Sequence, residues 1–417
     1  MKLNDFCRLL IVFLCGPFLA LTLVVRNTSS ASEPTWKPQE IETKLTIGYA
    51  VSLCDVNDDK KPDIVVVDAD RVLWYENPTW KRHEMIVGGT LRDNVCVAPL
   101  DIDGDGRLDF ALGADWKPFN TNSGGTLQWL RRGATLDEPW TVHPIGTEPT
   151  IHRMKVADFD GDGKPELLAS PLMGRGTTKP DYAEAGARQL LYKLPADPVK
   201  DPWTPRVIND DLHVTHNVWP CDFDGDGKED ELLIVAFEGV FLLEPTADGP
   251  WKKTQLGAGN QETSPNRGAS EIKLGRFVDK APYIATIEPW HGFQVVVYTP
   301  TTEKTALWTR TVVDDELLWG HAVWCANVDD DADEELIIGV RDQKNAEHRA
   351  GIRIYDPVRD PKTGATTWKR KVVDPGGVAV EDAAAADLDG DGRIDIVACG
   401  RATKNVKIYW NVLENGK

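Results

Sequence analysis

The sequence predicts an all-β fold, a seven-bladed β-propeller with four-stranded blades, on three observations. An acidic loop recurs seven times, a tryptophan-led strand recurs seven times between the loops, and short β-type runs flank the loops. Units of four short strands, repeated every 46 to 64 residues, fit propeller blades. The composition agrees. Of 417 residues, 41% are hydrophobic and 27% charged, a globular balance, while 35 Gly and 27 Pro mark many turns rather than long helices.

The first 31 residues stand apart. Lys2 and Arg8 precede an apolar run from Leu9 to Val25, and the polar stretch Arg26 to Ala31 ends in small residues. This reads as a signal peptide over residues 1–31, which puts the mature chain in a secreted, periplasmic or extracellular location. The run is also at the lower limit for a spanning helix, so an uncleaved anchor is the alternative, and membrane contact is expected only then. Asp plus Glu number 66 against 47 Lys plus Arg, a net charge of −19. Such a surface repels phosphate backbones, and no nucleic-acid partner is expected.

From residue 32 to 414 the chain reads as the propeller. Its Trp strands begin at Trp36, Trp80, Trp140, Trp203, Trp251, Trp308 and Trp368. The strand at Trp36 precedes the first acidic loop and lacks a blade of its own, whereas the last blade lacks a fourth strand. The N-terminal strand is therefore expected to close the ring and cover an open edge. Around the first loop, Ala50 to Cys54, Ile64 to Val67 and Val72 to Tyr75 supply the other strands. The mature cysteines Cys54, Cys96, Cys221, Cys325 and Cys399 fall in inner strands and read as small buried residues, not a disulfide set.

Four loops carry an intact pattern of acids at alternate positions with glycines between. They contain Asp101, Asp103, Asp105 and Asp109; Asp158, Asp160, Asp162 and Glu166; Asp222, Asp224, Asp226 and Asp230; and Asp387, Asp389, Asp391 and Asp395. Oxygen-rich residues in a tight turn wrap a hard cation, and calcium takes six to eight such oxygens. An EF-hand would place its last acid at the twelfth position between helices, whereas here it comes at the ninth between strands. Structural calcium in these four loops is the expectation. The loops at Asp55 and Asn327 keep acids but lose the glycines, and that at Gly275 keeps only the frame.

These loops resemble the FG-GAP or VCBS repeat propellers over nearly all of the mature chain. That resemblance implies calcium loops between the first and second strands of each blade. It does not imply a function, because similar propellers serve as adhesion heads, lectin-like modules and polysaccharide lyases.

If each loop follows the first strand, the beginnings of those strands surround one funnel at the opposite rim. The residues six places before each loop are Tyr49, Val95, His152, His216, Ala269, His321 and Glu381. Three of the eight histidines share this one offset. Imidazoles around one axis with a carboxylate have the composition of a site for zinc or another divalent transition metal, with His152, His216, His321 and Glu381 as ligands. Isolated packing of each histidine is the competing reading. Hairpins returning to the same rim bring Asp115, Trp116, Glu238, Glu288, Trp290, His291, Arg341 and Arg401. Of these, Trp116, Trp290, His291, Arg341 and Arg401 are the expected sugar contacts. His83 and His143 lie on outer strands and are expected in solvent.

The funnel pattern is similar to the propeller domain of aldos-2-ulose dehydratase and, more loosely, to propeller-type polysaccharide lyases. The resemblance implies a carbohydrate substrate and metal-assisted elimination, with His152, His216, His321 or Tyr49 removing a proton next to a carbonyl or carboxyl. A carbon–oxygen lyase is thus one expectation. A non-catalytic carbohydrate- or protein-binding module is the other.

Overall fold

A computed structural model describes residues 34–412 apart from 248–249, 304–305, 330, 342–349 and 361. The segment read as a signal peptide lies outside the described residues. Strands β1 to β28, numbered in chain order, form seven four-stranded antiparallel sheets, and the described residues contain no helix. Six blades use consecutive strands, from β2 (Ala50–Cys54) through β25 (Thr366–Asp374).

The seventh blade closes the ring as the repeat phase predicts. It runs β26 (Val380–Ala386), β27 (Asp395–Gly400), β28 (Val406–Val412) and then β1 (Thr35–Glu42). Strand β1 pairs antiparallel with β28, from Thr35 opposite Val412 to Glu42 opposite Val406. Deleting residues 32–46 is expected to bare the backbone edge of β28, and aggregation or unfolding should follow. A shortened chain that stays monomeric and melts with the parent in light scattering and thermal scans would contradict this.

Burial explains the pattern of each strand. The second strands, such as Asp63–Asp68 and Asp109–Ala114, are buried along their whole length because neighbouring blades cover both faces. The outermost strands, such as Lys81–Val87, are exposed or half-buried along most of their length and buried only near the end, at Met85 and Ile86. The repeated tryptophans pack on other aromatics: Trp140 lies 5.7 Å from Phe110 and Trp251 lies 5.2 Å from Phe159, ring centre to ring centre. All five cysteines within the described residues are free thiols.

A second device joins blade to blade. The hydroxyls of Tyr75, Tyr355 and Tyr409 donate to Glu42, Asp314 and Asp374 at 2.9, 2.6 and 2.5 Å. Each acceptor ends the outermost strand of the preceding blade, and each tyrosine sits on the third strand of the next. These buried hydrogen bonds to charged groups fasten consecutive blades where backbone pairing cannot reach.

Candidate functional site

Each first strand starts at the funnel and ends at its acidic loop, so the two features occupy opposite ends of the blades. One cavity of about 1100 Å³ lies at the strand-start end, lined by Tyr49, Val95, His152, His216, His321 and Glu381. The hairpin residues Trp116, Trp290, His291, Arg341 and Arg401 line it too. The backbone explains why. Register shifts at Ile151/Arg153, Gly320/Ala322 and Val380/Asp382 leave His152, His321 and Glu381 outside the ladder. A bulge of this kind re-aims the extra side chain, here toward the funnel axis.

The histidines converge, with one change from the expected set. Ligand nitrogens of His216, His291 and His321 lie within 4.8 Å of one another. The Nε2 atoms of His216 and His291 are 2.8 Å apart. His152 is adjacent, its ring centre 4.5 Å from that of His216, but it stands outside this trio. His291, expected as a sugar contact, takes its place. The Nδ1 atoms of His152, His216 and His321 face the backbone carbonyls of His216, Ser270 and Glu381 at 2.9, 3.0 and 2.6 Å. These contacts turn each Nε2 toward the funnel, as second partners do in metal sites, and that of His152 has Arg153 Nη1 at 3.4 Å. Burial, ahead of the nearby arginines and imidazoles, holds all four groups well below the ordinary histidine range, so they are neutral. Three neutral imidazoles with free Nε2 atoms suit a zinc-like ion.

Glu381 departs from its expected role as a ligand. Its two carboxylate oxygens accept from Arg341 at 3.0 Å and Arg401 at 2.8 Å, and it lies 4.0 Å from His321 Nε2. The two arginines are therefore tied to Glu381 rather than held open. Tyr49 is also changed in kind. Burial pushes its phenol up to about 12, so it carries its proton at neutral pH and is a donor rather than a base. Its hydroxyl is 3.3 Å from Asp93. Trp290 stacks on His291 with ring centres 4.5 Å apart, and Trp116 lies 5.1 Å from His152.

Other polar residues have structural partners. Glu288 is buried beneath Arg310, Tyr298 and Thr286, and His213 pairs with Glu238 at 2.7 Å. His83 and His143 stack on Trp74 and Trp129 at 4.2 and 4.8 Å, against their expected solvation. Sequence reasoning missed Arg153, Phe119, Lys179 and Trp319, all lining the cavity. Two had a signal: Arg153 directly follows a funnel histidine, and Lys179 lies in the long strand-free stretch between Pro171 and Gln189, a length typical of functional loops.

At the opposite end, the loops are preorganised. Backbone amides of Asp105 and Gly106 donate to Asp101 at 3.1 and 2.9 Å, and Gly163 and Gly392 repeat the contact to Asp158 and Asp387 at 2.9 Å each. Gly104 and Gly106 have φ of 72° and 86°, a conformation glycine adopts freely. Carboxylate oxygens of Asp101, Asp103 and Asp109 gather within 4.8 Å, as do those of Asp158, Asp160 and Glu166. In the third such group Glu231, not the expected Asp230, joins Asp222 and Asp224. The reason is one extra residue: Glu231 accepts from Phe223 N at 3.0 Å, as Asp109 does from Ile102 N at 3.2 Å. These oxygen sets fit calcium.

The family of the aldos-2-ulose dehydratase β-propeller domain matches residues 124–301, and the FG-GAP-like repeat matches residues 55–112. The chain is similar to that dehydratase propeller. The aldos-2-ulose dehydratase of Phanerodontia chrysosporium is 28% identical over 52% of this chain and 26% of its own length. That match thus spans about a quarter of the dehydratase, and the family match over 124–301 includes His152, His216 and His291. Two solved structures share the fold. BBS1N in complex with ARL6DN has a TM-score of 0.52 at 13% identity, over 91% of this chain and 97% of that one. The Cps50 (Swd1) β-propeller domain of Myceliophteria thermophila has a TM-score of 0.52 at 9% identity, over 90% of this chain and 100% of that one.

Proposed function

We propose that this chain is a sugar-active propeller whose funnel removes water from a keto sugar or cleaves a related carbon–oxygen bond by elimination. The observation that carries the proposal is the gathering of His216, His291 and His321 beside His152, in a chain similar to the dehydratase propeller. His216, His291 and His321 would hold a zinc-like ion, which would polarise the carbonyl of a bound sugar. Neutral His152 is suited to take the proton from the carbon next to that carbonyl. Tyr49, which keeps its phenolic proton, is suited to give one to the departing hydroxyl, so that water leaves and a carbon–carbon double bond forms. Trp116 and Trp290 offer apolar faces for the sugar ring. Export and structural calcium in the four intact loops complete the proposal.

The test is metal analysis of the purified protein with an ultraviolet assay on an aldos-2-ulose. The parent should carry about one transition ion and form an absorbing unsaturated product. His216→Ala and His321→Ala should lose the ion, and His152→Ala should keep it while losing turnover by about 10²–10⁴-fold, the usual contribution of a general base. Sugar binding with no product from the metal-loaded parent would instead assign a carbohydrate-binding module. Absence of both ion and product in the parent would end the catalytic reading.

A further inference from the structure

We infer that the sugar taken by the funnel is anionic, its carboxylate received by Arg153 at the floor after being drawn in past Lys179 at the mouth. The inference rests on the sugar reading above and adds the charge of the substrate. The chain as a whole carries −19, yet the cavity wall carries Arg153, Lys179, Arg341 and Arg401 against the single carboxylate of Glu381. Glu381 is shared by Arg341 and Arg401, leaving that group with one surplus positive charge. The nearest carboxylate to Arg153 is Glu271, at 3.6 Å, beyond a good hydrogen bond. Lys179 lies over the Phe119 ring, 4.3 Å from its centre, and makes no ion pair among the described residues.

Below the floor Arg153, Lys155 and Lys273 together face the two acids Glu271 and Asp382, three cations to two carboxylates, and of the three only Arg153 lines the cavity. The two lysines pack on the Trp219 ring, 4.9 and 3.8 Å from its centre. The surplus positive charge therefore faces the funnel. A cleft lined by one sign of charge within low-dielectric walls concentrates ligands of the other sign. A neutral aldosulose gains nothing from this arrangement. A carboxylate matches it, because one planar guanidinium fork donates to both of its oxygens. Phosphate is served less well, since no helix N-terminus stands behind the site among the described residues.

Titration calorimetry with glucuronate, glucose and glucose 6-phosphate, at low salt and at about 0.5 M salt, tests the inference on the purified protein. Glucuronate should bind at least about tenfold more tightly than glucose at low salt, and salt should erode that preference. Arg153→Gln should remove the preference. Lys179→Gln, at the exposed mouth where folding is not at risk, should weaken it and reduce its salt dependence. Equal affinity for glucose and glucuronate, or a preference indifferent to salt and to both substitutions, would overturn the charge inference and leave the sugar reading intact. Tighter binding of glucose 6-phosphate than of glucuronate would overturn the carboxylate assignment. If no sugar of either charge binds, the sugar reading itself fails and takes this inference with it.

Discussion

Chelation of divalent ions is expected to lower the melting temperature by about 10–15 °C, and added calcium to restore it. A site whose free ion stands at 100 times its Kd stabilises the folded state by about 2.7 kcal/mol, so four loops contribute about 11 kcal/mol. A folded chain of this size has an unfolding entropy of about 0.8 kcal/mol per degree, which converts that energy into the stated shift. The loss should grow with pH. Without an ion, burial, with the neighbouring carboxylates adding to it, raises Asp109 and Asp395 to about 6 and Glu166 to about 7. A carboxyl raised in the folded state favours folding while protonated, and that contribution is lost as pH rises through 6 to 7. A bound cation would remove the dependence. The chelator should therefore cost more at pH 8 than at pH 5. Melting that ignores chelator, or an equal loss at both pH values, would argue against ions in these loops.

Asp374→Ala should destabilise the ring by about 3–5 kcal/mol, the cost of breaking a buried charged pair. Asp374 is buried where the sixth and seventh blades meet. It accepts from Tyr409 at 2.5 Å, Lys407 at 2.9 Å and the backbone amide of Gly376 at 2.9 Å. Removing it strands a hydroxyl, an ammonium and backbone donors away from water. Burial works against its ionisation, but these partners outweigh burial and hold its carboxyl below the ordinary range. A lowered carboxyl stabilises above its unfolded value and loses that contribution as pH falls through the folded one. Parent and variant melting curves should thus separate at neutral pH and approach each other in acid, with or without calcium. A neutral substitution, or a gap that persists unchanged into strong acid, would remove Asp374 from the blade joint. The same measurement on His152→Ala should show little change, because the funnel contributes to binding rather than to closure.

The propeller was legible because each blade is a local unit. A loop, its flanking strands and its tryptophan lie within one repeat, so spacing along the chain reports spacing in the blade. Ring closure was legible for the same reason, since the unpaired strand at Trp36 and the missing strand after Val412 are both visible as breaks in phase. The shared offset of His152, His216 and His321 carried through because first strands of similar length start at the same rim.

The chemistry of the rim depended on smaller events. His291 joins His216 and His321 because the hairpin at 289–293 folds inward, and nothing in its sequence fixes how far it reaches. Glu381 is tied up by Arg341 and Arg401, which come from hairpins of two different blades. One extra residue in the fourth loop moves the inward acid from Asp230 to Glu231, and with acids at both positions the repeat pattern does not show that shift. The amino-acid sequence alone determined the number of blades, the closing strand and the opposition of acidic loops to funnel, because repeats and strand periodicity are local. Tertiary structure alone decided which histidines meet, which carboxylate is held, and that an acidic chain has a cationic funnel. Those outcomes depend on side chains from five or more blades converging on one axis, where bulges and hairpins of a few residues set the distances.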